Sequence, residues 1–157
     1  MNDVDPKTRV LLDLMASAGE PPLKEQSVAE FRARRERGRD FVNAPAPELA
    51  VVRDVEVDGA AGFLHARIYD IEEGDSRPTL VYFHGGGFVY ASIDSHDPLC
   101  RRLADAGGLR VISVEYRLAP EAPFPAGVED AIAAARSIWR NAVRYGVDSR
   151  RLALGGD

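Results

Sequence analysis

The residues best suited to chemistry in this sequence are three consecutive glycines, Gly85-Gly86-Gly87, set between His84 and Phe88. Such a run is costly in chain entropy and contributes no packing, so bare backbone must be needed there. Glycines reach backbone angles closed to other residues and let a ligand approach the amides closely. Amides presented in that way can meet a negative charge that develops during a reaction, which is what an oxyanion hole requires. The plainer reading is a tight strand-to-helix turn. A phosphate cradle is the other rival, but neither G-x-x-x-x-G-K-[ST] nor G-x-G-x-x-G is present.

The elements that must position this segment follow from periodicity. Asp5-Pro6 starts a helix carrying Val10, Leu11 and Leu14 at helical spacing, closed by Gly19 and Pro21-Pro22. Ser27 and Glu30 form a capping box that opens the charged helix FRARRERGRDFV. Asn43 to Pro47 reads as a linker. Beyond it, Val51, Val55 and Val57 fit a strand of mixed polarity. In the next strand Phe63, His65 and Arg67 share one face, and Leu64, Ala66 and Ile68 the other, with the turn at Gly59 to Gly62. TLVYFHGGG and LRVISVEYR are apolar runs of strand length without polar alternation, as expected of strands buried on both faces, and RLALGGD begins a third. One helical pattern runs through Pro98, Leu99, Leu103 and Ala106 to Gly107-Gly108. A second carries Val128, Ile132, Ala135, Trp139 and Ala142 as its apolar face, closed by Gly146. Buried strands alternating with amphipathic helices predict a parallel α/β sheet covered on both faces. Ligands in such sheets bind beyond the carboxyl ends of the strands, where the glycines fall.

Three motifs in this order, HGGGFVYAS, YRLAPEAPFPAGVEDA over residues 116–131, and LALGGD, resemble the bacterial hormone-sensitive-lipase-like esterases. An HGGG loop is the oxyanion loop of lipases and esterases. The resemblance covers residues 46–157 strongly and the leading helices loosely. It departs from the family at Ala91, where glycine is common, and at the preceding Tyr90. It implies an α/β-hydrolase fold, with a mostly parallel central sheet flanked by helices. Residues 1–45 would form an N-terminal helical cap segment that helps to roof the acyl pocket, and 46–157 the first part of the catalytic domain. The implied activity is hydrolysis of short- and medium-chain carboxylic esters by a serine-histidine-aspartate mechanism, with no cofactor and no metal. Gly86 and Gly87 would donate the oxyanion amides, with Gly85 setting the turn. His84 would brace the loop and is not the base, which in the family comes from near the C-terminus.

Asp157 would hold the nucleophile elbow, since the serine is expected at the next position. Phe88, Tyr90 and His96 are candidates to touch substrate; for His96 a plain helix-start role is the alternative. His65 is read as a surface or structural residue. Glu129 and Asp130 most simply favour the N-terminal dipole of their helix. Glu115, Arg117 and Glu121 could form a buried polar network. The resemblance also implies that Ala119-Pro120 and Phe124-Pro125 are candidates for cis peptide bonds. Replacing Gly86 with proline, which removes the donor, is expected to abolish turnover.

Composition narrows the alternatives. The 157 residues are 45% hydrophobic and 29% charged, ordinary for a globular chain, with a net charge of −5 and no basic stripe to track nucleic acid. Cys100 is the single cysteine, so neither an internal disulfide framework nor a cysteine-built metal site can form. The three histidines lack metal-ligand spacing with carboxylates. No run approaches the ~18 apolar residues of a membrane span, and a cytoplasmic location is the default. The expected partners are a small ester and the C-terminal half of the same protein, with a homodimer left open. The resemblance implies that the triad lies beyond residue 157; a sheet cut after its central strand would expose a large apolar edge, so the missing part is expected in a segment separated from this one at a modified serine or carried apart. An intact mass of only 17.1 kDa would contradict that. Two rivals from other classes stand beside the enzyme. One is a catalytically inactive small-molecule receptor on the same fold, separated by the absence of a late histidine. The other is an inert or partner-dependent fragment, separated by its behaviour when expressed alone.

Overall fold

In the computed structural model, five strands make one mixed sheet in the order β1-β2-β4-β3-β5: β1 Val51–Asp58, β2 Phe63–Asp70, β3 Arg77–Phe83, β4 Arg110–Val114 and β5 Val147–Gly156. Residues 4–17, 19, 21–42, 45–74 and 76–157 are described, which leaves Asn43 and Ala44 of the expected linker outside. The chain divides into two compact units, residues 1–34 and 35–157. In the first, α1 (Pro6–Ser17) starts where Asp5 Oδ1 accepts the Lys7 and Thr8 amides. Its Val10, Leu11 and Leu14 all stay exposed. α2 (Val28–Val42) opens on the predicted capping box: the Glu30 amide donates to Ser27 Oγ, and the Ser27 amide to Glu30 Oε2.

The second unit is the sheet with a helix on each face. β1 and β2 form an antiparallel hairpin, and its turn closes through the Gly59 N–H to Gly62 O. β2 joins β4 antiparallel, whereas β3 runs parallel to both β4 and β5, so the sheet is mixed. Successive strand residues feed opposite cores. Ile68, Val81 and Ile112 pack with Ala134 and Ile138 of α4 (Ala126–Arg140), while Tyr69, Tyr82 and Val111 pack with Cys100 and Ala104 of α3 (Ile93–Gly107). The connection through α3 carries β3 to its neighbour β4. The return through α4 and the short α5 (Ala142–Tyr145) places β5 on the other side of β3. This reversal opens a crevice at the carboxyl end of β3.

Three expectations change. α3 begins at Ile93, capped by Ser92, well before the predicted Pro98, and it buries Ile93, Cys100 and Ala104 while Ala106 is exposed. α4 buries Ala126, Gly127, Asp130, Ala134, Ser137 and Ile138, not the stripe of Val128, Ile132 and Trp139, which remains exposed. The helix carries two apolar stripes, and the one against the sheet includes polar residues whose hydrogen bonds are met inside. Among the described residues β5 pairs with β3 alone, and Leu154 on it is exposed where its sequence suggests burial on both faces.

Candidate active site

The loop after β3 turns on a run of positive φ angles that begins at two glycines. Gly86 has φ 117°, Gly87 φ 60° and Phe88 φ 60°. Val89 and Tyr90 N–H groups donate to Gly86 O at 3.1 and 3.2 Å, closing the turn. A Cβ at Gly86 would lie 2.1 Å from Tyr90 O, whereas one at Gly87 would meet nothing within 4 Å. Ala91, the departure from the family pattern, takes φ 74°, a region that favours glycine. Neither the Gly86 nor the Gly87 amide donates to an acceptor among the described residues. Both glycines line a cavity of about 450 Å³, walled also by Phe88, Tyr116, Val128 and Ile132.

The peptide before these glycines is held at both ends. Tyr116 Oη donates to His84 O at 2.6 Å, and the Gly85 N–H donates to Asp157 Oδ1 at 2.8 Å. Burial, with the Glu115 and Asp157 carboxylates nearby, pushes the Tyr116 hydroxyl up to about 12, so it remains a donor at neutral pH. His84 is buried and stacks on Tyr116 with ring centroids 4.5 Å apart. Its Nδ1 lies 2.8 Å from Gly85 O. Asp157 also accepts from Tyr82 Oη at 2.6 Å and faces His96 Nε2 at 3.3 Å. Burial raises the Asp157 carboxyl, but the Tyr82 hydroxyl, the Gly85 amide and His96 together hold it below the usual carboxylate value.

Of the residues singled out in the sequence, His84, Gly85, Gly86, Gly87, Phe88 and Asp157 meet around one cavity. Tyr90 and His96 do not line it. His96 sits in the first turn of α3, with Nδ1 2.9 Å from Ser95 Oγ, and reaches the site only through Asp157. His65 lies on β2, with Nε2 3.3 Å from Asp54. The proline substitution of Gly86 loses its meaning at φ 117°, because it would break the turn as well as remove a donor.

Asp130 is more than a helix-dipole partner. It is fully buried and accepts from the Arg117 N–H, Arg117 Nε at 2.7 Å, Arg117 Nη2 at 2.9 Å and the Ala60 N–H. It thus ties α4 to the β1–β2 hairpin and to the segment after Tyr116. Arg117 therefore pairs with Asp130, not with Glu115, whose carboxylate turns to Ile93 N and His84. Both predicted X-Pro bonds, Ala119-Pro120 and Phe124-Pro125, are cis. Tyr116 and Gly127 are site residues that sequence reasoning passed over. A Cβ at Gly127 would come within 3.1–3.3 Å of Arg117 O, Tyr116 and Phe88, so a side chain there would crowd the aromatic wall. A glycine in the first turn of a helix, costing about 1 kcal/mol relative to alanine, was the available signal.

Comparison with known proteins agrees with this architecture. Residues 80–157 match the family model described as the alpha/beta hydrolase fold. The chain is 44% identical over 131 residues to esterase LipI of Mycobacterium tuberculosis (strain ATCC 25618 / H37Rv), covering 81% of this chain and 41% of that protein. It is 37% identical to carboxylesterase NlhH of the same strain, over 99% of this chain and 48% of that one. Among solved structures, ester-hydrolase EH1AB1 from the metagenome of Lake Arreo superposes with TM-score 0.94 at 44% identity, over 99% of this chain and 51% of that one. The hyperthermophilic esterase of Pyrobaculum calidifontis superposes with TM-score 0.90 at 36% identity, over 98% and 49%. The chain belongs to the α/β-hydrolase family. Within that family its resemblance runs to the hormone-sensitive-lipase-like bacterial esterases, and it spans about half the length of the curated relatives it matches.

Proposed function

We propose that this chain supplies the oxyanion loop of a serine carboxylic ester hydrolase acting on short- and medium-chain acyl esters. The Gly86 and Gly87 amides bind the tetrahedral oxyanion. A serine beyond residue 157 attacks the acyl carbonyl, and a histidine-aspartate pair, also beyond it, takes the serine proton and returns it to the leaving alcohol. The single observation that carries this reading is the pair of amides without an acceptor among the described residues, on the wall of a cavity at the end of a buried strand. Gly86 is partly exposed and Gly87 exposed, so both donors are open to an incoming oxygen, and their place on the cavity wall suits an oxyanion. Asp157 and Tyr116 hold the preceding peptide, which limits reorganisation when charge appears. The relatives' names, all esterases or ester hydrolases, support the reaction class, and nothing observed favours a receptor. No described helix is long and apolar enough to cross a membrane. A cytoplasmic setting belongs to the same proposal.

Turnover of p-nitrophenyl acetate and butyrate by the full-length protein tests it. Hydrolysis that is abolished by a fluorophosphonate bound to one serine is the expected result. No turnover of either ester in folded protein contradicts it.

A further inference from the structure

We infer that Glu115 is a positioning residue for the Gly86 donor, acting through the His84 imidazole; this rests on the reading of Gly86 as an oxyanion donor. Glu115 follows β4, and its N–H donates to His65 O at 2.9 Å, so β2 fixes where the side chain starts. Its carboxylate serves two elements. Oε2 accepts the Ile93 N–H at 2.8 Å, at the start of α3, and Oε1 lies 3.5 Å from His84 Nε2. The imidazole thus lies between two acceptors, with Nδ1 2.8 Å from Gly85 O and Nε2 facing the Glu115 carboxylate across 3.5 Å. A carbonyl only accepts, so Nδ1 carries a proton in this arrangement. Nε2 is buried without a full hydrogen bond among the described residues, and the Glu115 carboxylate is the charge that faces it. Which ring nitrogen donates, and where, depends on what the other nitrogen meets.

The consequence reaches the donor through one peptide. Gly85 O and Gly86 N belong to the same trans peptide unit, so they point in opposite directions. Holding Gly85 O against the imidazole turns the Gly86 N–H away from it, and the hydrogen bond polarises that N–H further. The peptide before it is already clamped by Tyr116 and Asp157. Glu115 therefore sets the remaining freedom of the donor plane without touching substrate. A purely structural role, as an acceptor at the start of α3, would change stability and leave the chemical step alone.

Glu115→Gln in the full-length protein separates the two roles, since the amide oxygen can still accept from Ile93 N while the charge facing Nε2 is lost. We expect kcat for p-nitrophenyl butyrate to fall about tenfold, a fraction of the ~10²–10³ that loss of an oxyanion donor costs, with KM changed less than twofold. Affinity for a trifluoromethyl ketone, which forms a tetrahedral adduct, should fall in the same proportion as kcat. A folded variant with kcat within twofold of wild type, or with its loss carried in KM, overturns the inference. Should Glu115→Gln not fold, Glu115→Asp, which draws the carboxylate back from His84, must show the same selective loss in kcat; wild-type kcat there overturns it too. Wild-type protein without esterase activity would instead overturn the reading beneath, and this inference with it.

Discussion

The two ends of β4 handle polar groups in opposite ways. At its start, Arg110 is buried and fully used. Nε donates to Asp70 Oδ2 at 2.9 Å, Nη1 to Tyr145 O and Gly146 O, and Nη2 to Gly74 O. Asp70 is fully buried beside it and also faces Arg77 Nε at 3.4 Å. At the far end, the groups after β4 organise a neighbouring loop whose Gly86 and Gly87 amides have no acceptor among the described residues. The closed end uses charge to join strands, the short helix and a turn. The open end uses similar polar contacts to keep donors available. Stability and chemistry are thus separated along one strand, and substitutions should divide in the same way.

The largest effect is expected at the closed end. Arg110→Met takes the nearer of its two cations from the buried Asp70, leaving only Arg77 Nε at 3.4 Å, and breaking a buried pair in this way typically costs about 3–5 kcal/mol. Denaturant unfolding should show that loss while, on the proposed function, the folded full-length protein keeps its kcat; an equal fall in kcat would break the separation. At the open end, Gly86→Ala keeps the amide but drives a Cβ into Tyr90 O and so displaces the donor; in protein shown to fold, kcat should fall toward the ~10²–10³ that loss of an oxyanion donor costs. Steady-state kinetics would test this, and near-normal turnover would detach Gly86 from the chemistry.

Asp130 should fall between these. Burial raises its carboxyl, but the hydrogen bonds from Arg117 and Ala60 outweigh that and hold it below the ordinary value of 3.8. A depressed folded value means that its stabilisation is present above the unfolded value and is lost as pH falls through the folded one. Asp130→Asn should therefore cost about 2 kcal/mol at neutral pH, and the gap from wild type should close below pH 3.8. Paired unfolding curves across that range measure it, and a gap that widens in acid would reverse the sign argued here. The smallest effect belongs to Gly87→Ala, which keeps the amide and meets no atom within 4 Å, but sets a side chain at φ 60°. It should cost roughly 1–2 kcal/mol of stability and far less kcat than Gly86→Ala. Equal kcat losses at the two positions would erase the contrast between them.

Much of this arrangement was legible beforehand. The glycine run, the capping box at Ser27 and Glu30, the alternation through β2 and the turn at Gly59 to Gly62 are local patterns, and the fold preserves them. What could not be read depends on contacts distant in sequence. Asp130 looks like a helix-start acid until Arg117 and Ala60 converge on it. The Val128, Ile132 and Trp139 stripe out-scores the true buried face because that face hides Asp130 and Ser137, satisfied by Arg117 and Asp58. Arg110 and Asp70 sit at strand ends, where a charge usually means solvent, and only the fold brings them together. Within the site, the glycines could be named from sequence. Their support from Tyr116, Glu115 and Gly127 emerged only in three dimensions.

The most direct test is a crystal structure of the full-length protein inhibited by an alkyl phosphonate ester, whose phosphoryl oxygen stands in for the oxyanion. The account predicts that oxygen about 2.7–3.1 Å from both the Gly86 and the Gly87 amide nitrogens. An adduct whose oxygen is held by other donors, out of hydrogen-bond reach of both amides, would contradict it.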